Sequence, residues 1–173
     1  EEMSQELQET LWQQHQDGLW VVDPIDGTTN FVNGLPFFAI SVALMVNGIS
    51  ELGVIYNPVA NEMFYARRGH GAFMNGIPLP LKSISNSMGD AVASVEVKYL
   101  RSGKLAARIN SVAPCGRQRN MGSSTLDWCF LAAGRYDLYL HGGQRLWDYA
   151  AGAVILEEAG GQIASLNTDA YWE

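Results

Sequence analysis

The sequence predicts an α+β protein built in layers, with an antiparallel meander in its first half and alternating strands and helices in its second. Three observations carry this reading. Short apolar runs joined by tight turns fill residues 19–66, and the clearest pair flanks Asn47-Gly48, a dipeptide suited to two-residue hairpins. From Ala91 onward strand-like and helix-like segments alternate, which implies helices covering a sheet. The 173 residues are 47% hydrophobic and 17% charged, enough to bury one core. A single unit, 1–173, is expected, with the meander in 1–85 and the alternating half in 86–173.

Leu19 to Val22 is a continuous apolar run that stops at Asp23-Pro24, which reads as a buried strand ending at its carboxyl edge. Phe37 to Val46, Ile49 to Tyr56 and Glu62 to Ala66 are the meander strands. Further on, strands are expected at Ala91 to Val97, Gly116 to Met121, Tyr136 to Leu140 and Gln162 to Ser165. Helices are expected at Ser102 to Ser111, Ser123 to Ala133 and Trp147 to Ala159, the last ended by Gly160-Gly161. Met3 to Gln16, rich in Gln and Glu, fits helix or loop equally.

The net charge of −7 offers no basic footprint for a phosphate backbone, so nucleic acid is not expected as a partner. An acidic chain that handles an anionic substrate most simply recruits positive charge as divalent cations. Cys115 and Cys129 sit in unlike contexts and suggest neither a disulfide nor a zinc site. The longest apolar stretch, Leu35 to Val46, is interrupted and too short to span a bilayer, and no secretory core precedes it. A soluble, reducing, cytoplasmic setting without membrane association is expected.

Chemistry concentrates in Asp23-Pro24-Ile25-Asp26-Gly27-Thr28-Thr29-Asn30-Phe31. Two acids separated by two residues, in a turn stiffened by Pro24, can converge on one point. Like charges there raise each other's pKa, a cost that a hard divalent cation removes, and Mg²⁺ prefers such oxygen ligands. Gly27 permits close backbone approach, a helix beginning after it offers free N–H groups to an anion, and Thr28 supplies a hydroxyl to orient a water. Asp-Gly alone is an ordinary turn former; the combination of strand end, two acids, glycine and hydroxyls is not. Asp148 opens a strongly apolar helix, where a carboxylate serves as a cap. The small residues Ala150, Ala151 and Gly152 let that first turn approach another backbone or a ligand.

The runs from Trp20 to Phe31 and from Trp147 to Gly161 resemble the two signatures of the inositol monophosphatase family, lithium-sensitive, magnesium-dependent phosphatases. The resemblance extends to the Asn-Gly hairpin, to Gly71-Ala72-Phe73-Met74-Asn75-Gly76 and to Gly122-Ser123-Ser124. It implies a layered α-β-α-β-α sugar-phosphatase-like fold, a homodimer, and hydrolysis of a small phosphate monoester such as inositol 1-phosphate. Two or three Mg²⁺ ions and direct attack of a metal-activated water are implied. Asp23 would bridge two metals, Ile25 would offer its carbonyl, and Asp26 and Asp148 would hold the second metal. Gly27 and Thr28 would bind phosphate through N–H groups. Glu1 matches the first acid of a Gly-Glu-Glu motif and, with Thr28, would orient the water. Gly122, Ser123 and Ser124 would face the leaving group, although Ser123 also suits a helix cap. The resemblance further implies a chain cut at both ends.

The family pattern breaks at His141, where members acting on inositol phosphate place a Glu against the ring hydroxyls. His141-Gly142-Gly143-Gln144-Arg145 brings Arg145 toward the mouth, suiting a second phosphate or a sugar phosphate; alternatively both are loop residues in solvent. Fructose 1,6-bisphosphate and 3'-phosphoadenosine 5'-phosphate are alternative substrates, with Arg145, Arg117, Arg119 and Lys98 as the cations they would need. An alternative of another class is a regulatory binding module without catalysis.

Overall fold

A computed structural model describes residues 4, 7, 10, 11, 14, 17–83, 87–96 and 115–164. The first half is a six-stranded sheet in sequence order: β1 (Leu19–Asp26), β2 (Ala39–Val46), β3 (Ile49–Asn57), β4 (Glu62–Arg67), β5 (Ala72–Met74) and β6 (Ile77–Pro78), every neighbour antiparallel. A short helix, α1 (Thr28–Val32), interrupts the path from β1 to β2. The second half supplies a three-stranded parallel sheet of order β8-β7-β9, from β7 (Val92–Val95), β8 (Arg117–Arg119) and β9 (Leu138–Leu140). Among the described residues it also holds two longer helices, α2 (Ser124–Ala132) and α3 (Leu146–Glu158).

The meander forms because its strands alternate. In β2, Ala39, Ser41, Ala43 and Met45 point to the core while Ile40, Val42 and Leu44 point away, the period-two pattern of a sheet with one packed face. Asn47 and Gly48 both have positive φ, 51° and 78°, as a type I′ hairpin requires. Asn75 and Gly76 repeat the geometry at 49° and 83° and create the β5–β6 hairpin, which the sequence reading did not draw as strands. Gln162 to Ala164, expected as strand, make no strand pairing, although Ile163 packs on the core. Strand-forming residues become a strand only where a neighbour offers a ladder. The expected helix at Ser102 to Ser111 lies outside the described residues, as does Ser165.

Helix α3 lies across the packed face of β1 to β5 and against α2, and α2 reaches β9 of the smaller sheet. Both helices are apolar on nearly all sides because both are interior. Phe64, Ile55, Leu126, Val154 and Ile155 form the centre of the core, each worth about 1.5–3 kcal/mol on burial. Contact is close enough to require glycine twice. A Cβ on Gly53 of β3 would lie 2.5 Å from the Ala151 carbonyl oxygen, and one on Gly152 of α3 would lie 2.4 Å from the Trp128 Cβ. The small residues at the start of α3 therefore serve backbone approach to β3 and α2.

The far end of α3 is tied down by charge. Glu158 accepts from the N–H groups of Gly69 and Gly71, both at 2.8 Å, and these bonds hold its carboxyl below the usual range although burial acts the other way. Arg68 donates to Glu157 at 2.9 Å, and Arg135 grips Glu62 through two nitrogens at 2.9 and 2.6 Å while stacking over Phe130. Cys115 and Cys129 are free thiols. No helix among the described residues is long and apolar enough to cross a membrane. Gly53→Ala is expected to cost about 1–3 kcal/mol through overpacking, read as a lower urea midpoint with unchanged m-value; an unmoved midpoint would mean that β3 and α3 have room to spare.

Candidate active site

Asp23 and Asp26 stand three positions apart in β1, and in a regular strand they would face opposite sides of the sheet. The register shows why they do not. Asp23 pairs with Ser41 but Asp26 pairs with Ala39, so one extra residue is inserted in β1 between them. This bulge resets the alternation and turns both carboxylates to the side of Ser41 and Ala39, which is buried. Pro24, with no N–H to give a ladder, is tolerated because it sits at the bulge of an edge strand.

The third acid comes from the first turn of α3. Oxygens of Asp23, Asp26 and Asp148 all lie within 4.8 Å of one another. Asp148 Oδ2 accepts the Arg145 N–H at 2.8 Å, so this carboxylate caps its helix and belongs to the cluster at once. Burial, then the Asp26 charge, push the Asp23 carboxyl up to about 6, against the Ile25 N–H that donates to its Oδ1 at 3.1 Å. Asp148 is also raised, chiefly by burial.

Asp26 is 8% exposed, and its Oδ2 accepts three hydrogen bonds: from Ser123 Oγ at 2.6 Å, Thr125 N at 2.7 Å and Thr125 Oγ1 at 2.7 Å. Ser123 occupies the N-cap position of α2 without capping it through its side chain. Its hydroxyl turns to Asp26 instead. Thr125 was not among the residues singled out from the sequence; the available signal was a polar β-branched residue in the first turn of an otherwise apolar helix.

Gly27 has φ 82°, and a Cβ there would meet Phe37 O at 3.0 Å, Gly122 O at 3.2 Å and Ser123 Cβ at 3.3 Å. Glycine is thus required by conformation and by space. Thr28 begins α1, where main-chain N–H groups have no intrahelical acceptor, and its Oγ1 donates to the Ile25 carbonyl at 2.9 Å. Buried Asn30 fixes this turn to the Gly122 loop, donating from Nδ2 to Phe37 O and Met121 O, both at 2.7 Å.

On the other side, Ser124 Oγ and Tyr139 OH lie 3.0 Å apart, and Gln144 Nε2 donates to both. His141 is half-buried rather than in open solvent: its Nδ1 accepts the Gly143 N–H at 3.0 Å, and burial lowers its pKa, leaving it neutral at pH 7. The Arg145 guanidinium lies over the Trp147 ring at 5.5 Å. Glu1 and Lys98 lie outside the described residues.

The donor set is all oxygen, carries excess negative charge and is partly desolvated, which fits a hard divalent cation such as Mg²⁺ and not a soft metal. Asp23, Asp26 and Asp148 are the residues that would hold it.

Folding raises the Asp23 pKa, so its ionisation opposes folding, starting near pH 4 and complete above about pH 6. In EDTA, Asp23→Asn is therefore expected to melt above the parent protein at pH 7, with the difference shrinking as pH falls from about 6 through 4. With Mg²⁺ only the parent should gain melting temperature. A pH-independent difference would contradict the burial of this carboxylate.

Comparison with known proteins gives one answer. The family profile described as Inositol monophosphatase family matches residues 1–171. The chain is 42% identical over 151 residues to a Nus factor SuhB of Pasteurella multocida, covering 86% of this chain and 57% of that protein. It is 43% identical over 150 residues to an inositol monophosphatase of Mesembryanthemum crystallinum, covering 83% and 55%. Staphylococcal SaIMPase-II, solved with inositol monophosphate bound, superposes with a TM-score of 0.79 at 28% identity, over 92% of this chain and 69% of that one. The chain thus spans little more than half the length of these curated relatives. It belongs to the inositol monophosphatase family.

Proposed function

We propose that this chain carries the catalytic centre of a Mg²⁺-dependent phosphatase for a small polyol or sugar monophosphate, inositol 1-phosphate foremost. The observation that supports it best is the convergence of Asp23, Asp26 and Asp148, brought about by the bulge in β1 meeting the first turn of α3. A family member named inositol monophosphatase and another solved with inositol monophosphate bound point to the same substrate class.

Divalent cations supply Lewis acidity and positive charge to such a site. The remaining tasks fall to the chain. Asp23, Asp26, Asp148 and the Ile25 carbonyl orient the cations. The N–H groups of Gly27 and Thr28 bind phosphate oxygens that the acidic cluster alone would repel. Because Thr28 Oγ1 donates its hydrogen bond to Ile25 O, its lone pairs accept a hydrogen bond from the attacking water and aim the water's oxygen at phosphorus. Glu1 is the proposed partner in that orientation. Attack in line forms the new P–O bond as the bond to the substrate alkoxide breaks; the water gives up a proton, the departing alkoxide takes one from solvent to leave as the alcohol, and no phosphoenzyme is needed. Gly122, Ser124 and His141 face the departing alcohol, while Ser123 acts through Asp26.

Neutral His141, where inositol-specific members have Glu, favours leaving groups with a hydrogen-bond acceptor. Arg145, with exposed Arg117 and Arg119 on β8, keeps fructose 1,6-bisphosphate and 3'-phosphoadenosine 5'-phosphate as alternatives. The name Nus factor, which the bacterial relatives carry, favours a second reading in which the scaffold works as a regulatory binding module.

A phosphate-release panel with Mg²⁺, comparing these three substrates, separates the readings; no release from any of them would favour the binding module. Asp26→Asn is expected to lower kcat by roughly 10²-fold or more with the fold retained. His141→Glu should raise kcat/KM for inositol 1-phosphate relative to the other two by roughly tenfold, since one hydrogen bond to a charged group is worth about 1.5–3 kcal/mol. An unchanged preference would remove His141 from substrate selection.

A further inference from the structure

The geometry points to Thr125 as a positioning residue for the Asp26 carboxylate, acting on cation affinity through its side-chain hydroxyl; this rests on the reading of Asp23, Asp26 and Asp148 as metal ligands. Thr125 is fully buried, touches none of the proposed reacting groups, and gives Asp26 Oδ2 two donors from one residue, N–H and Oγ1, each at 2.7 Å. With Ser123 Oγ at 2.6 Å, that oxygen carries three short hydrogen bonds.

Three donors converging on one oxygen do two things. They saturate Oδ2, so Oδ1 is the oxygen left for a cation shared with Asp23 and Asp148. They also fix the plane of the carboxylate, which otherwise rotates about its last torsion. Donors behind a ligating carboxylate commonly set metal affinity in this way. Of the two hydroxyls, the threonine's is held more firmly. Its β-branch restricts the side-chain torsion and its main chain already belongs to α2, whereas Ser123 stands outside the helix with an unbranched side chain.

Mg²⁺ alone, titrated calorimetrically into the full chain, tests the assignment. Thr125→Val keeps the volume and removes the donor, and is expected to weaken Mg²⁺ binding by about tenfold. Thr125→Ser restores the oxygen and is expected to bind within about twofold of the parent. Should the valine variant not fold, Thr125→Ala, which places no branched apolar group beside the carboxylate, carries the same expectation. Thermal melting without Mg²⁺ separates packing from positioning. A variant that melts lower yet binds Mg²⁺ like the parent overturns the assignment, as does a serine variant as weak as alanine, since packing of the methyl group would then set the affinity. A parent protein that binds no Mg²⁺ overturns it together with the metal site. A parent that binds Mg²⁺ and responds to these substitutions, but releases phosphate from no ester, removes only the phosphatase reading.

Discussion

Asp26 Oδ2 accepts from the Ser123 hydroxyl and from both donors of Thr125, and through these bonds the edge strand of the large sheet is joined to the first turn of α2, 97 and 99 residues away. The N-terminus of α2 needs acceptors for its free N–H groups. Its own N-cap serine does not supply one from its side chain. A carboxylate from β1 does, and it lies where the helix dipole favours negative charge. The same contact aligns a metal-ligating group and caps an interior helix, so the acidic cluster and the core share one anchor.

Around that anchor the molecule accommodates negative charge where it does not repel and small residues where backbones must meet. Burial, with the neighbouring carboxylate charge added to it, raises Asp23 and Asp148. Glu158, at the opposite end of α3, is lowered by the N–H groups of the β4–β5 turn. One helix thus carries an acid under strain at its start and an acid at rest near its end. Gly53 and Gly152 let that helix sit close to β3 and α2, while Gly27, Gly122 and Asn30 bring α1 against the loop before α2.

Most of the meander was legible because its strands alternate and Asn47-Gly48 marks a turn by its chemistry. Asn75-Gly76 carried the same signal and was missed only because the strands on either side are short. The three aspartates were legible as a long motif followed by an acid at a helix start. The means of their convergence was not. Alternation along β1 places Asp23 and Asp26 on opposite faces, and only the pairing with β2 exposes the inserted residue. Thr125 was hidden for a related reason. A polar residue in an apolar helix declares its partner only once the fold has brought Asp26 to it. The residues from Ala150 to Gly152 suggested access for a ligand or a backbone, and the contacts of Gly53 and Gly152 account for them by backbone alone.

The six strands of the large sheet are neighbours in sequence as well as in space, so each hairpin closes a short loop. The bonds from Asp26 to Ser123 and Thr125 close one of about a hundred residues. Because distant contacts give nothing back until the entropy of the intervening chain has been spent, the order of assembly follows. The meander can form on its own schedule, while the acidic cluster exists only after α2 and α3 have docked. A chain stalled before that step would hold Asp23 and Asp26 on a formed strand, yet have neither Asp148 beside them nor Thr125 behind them.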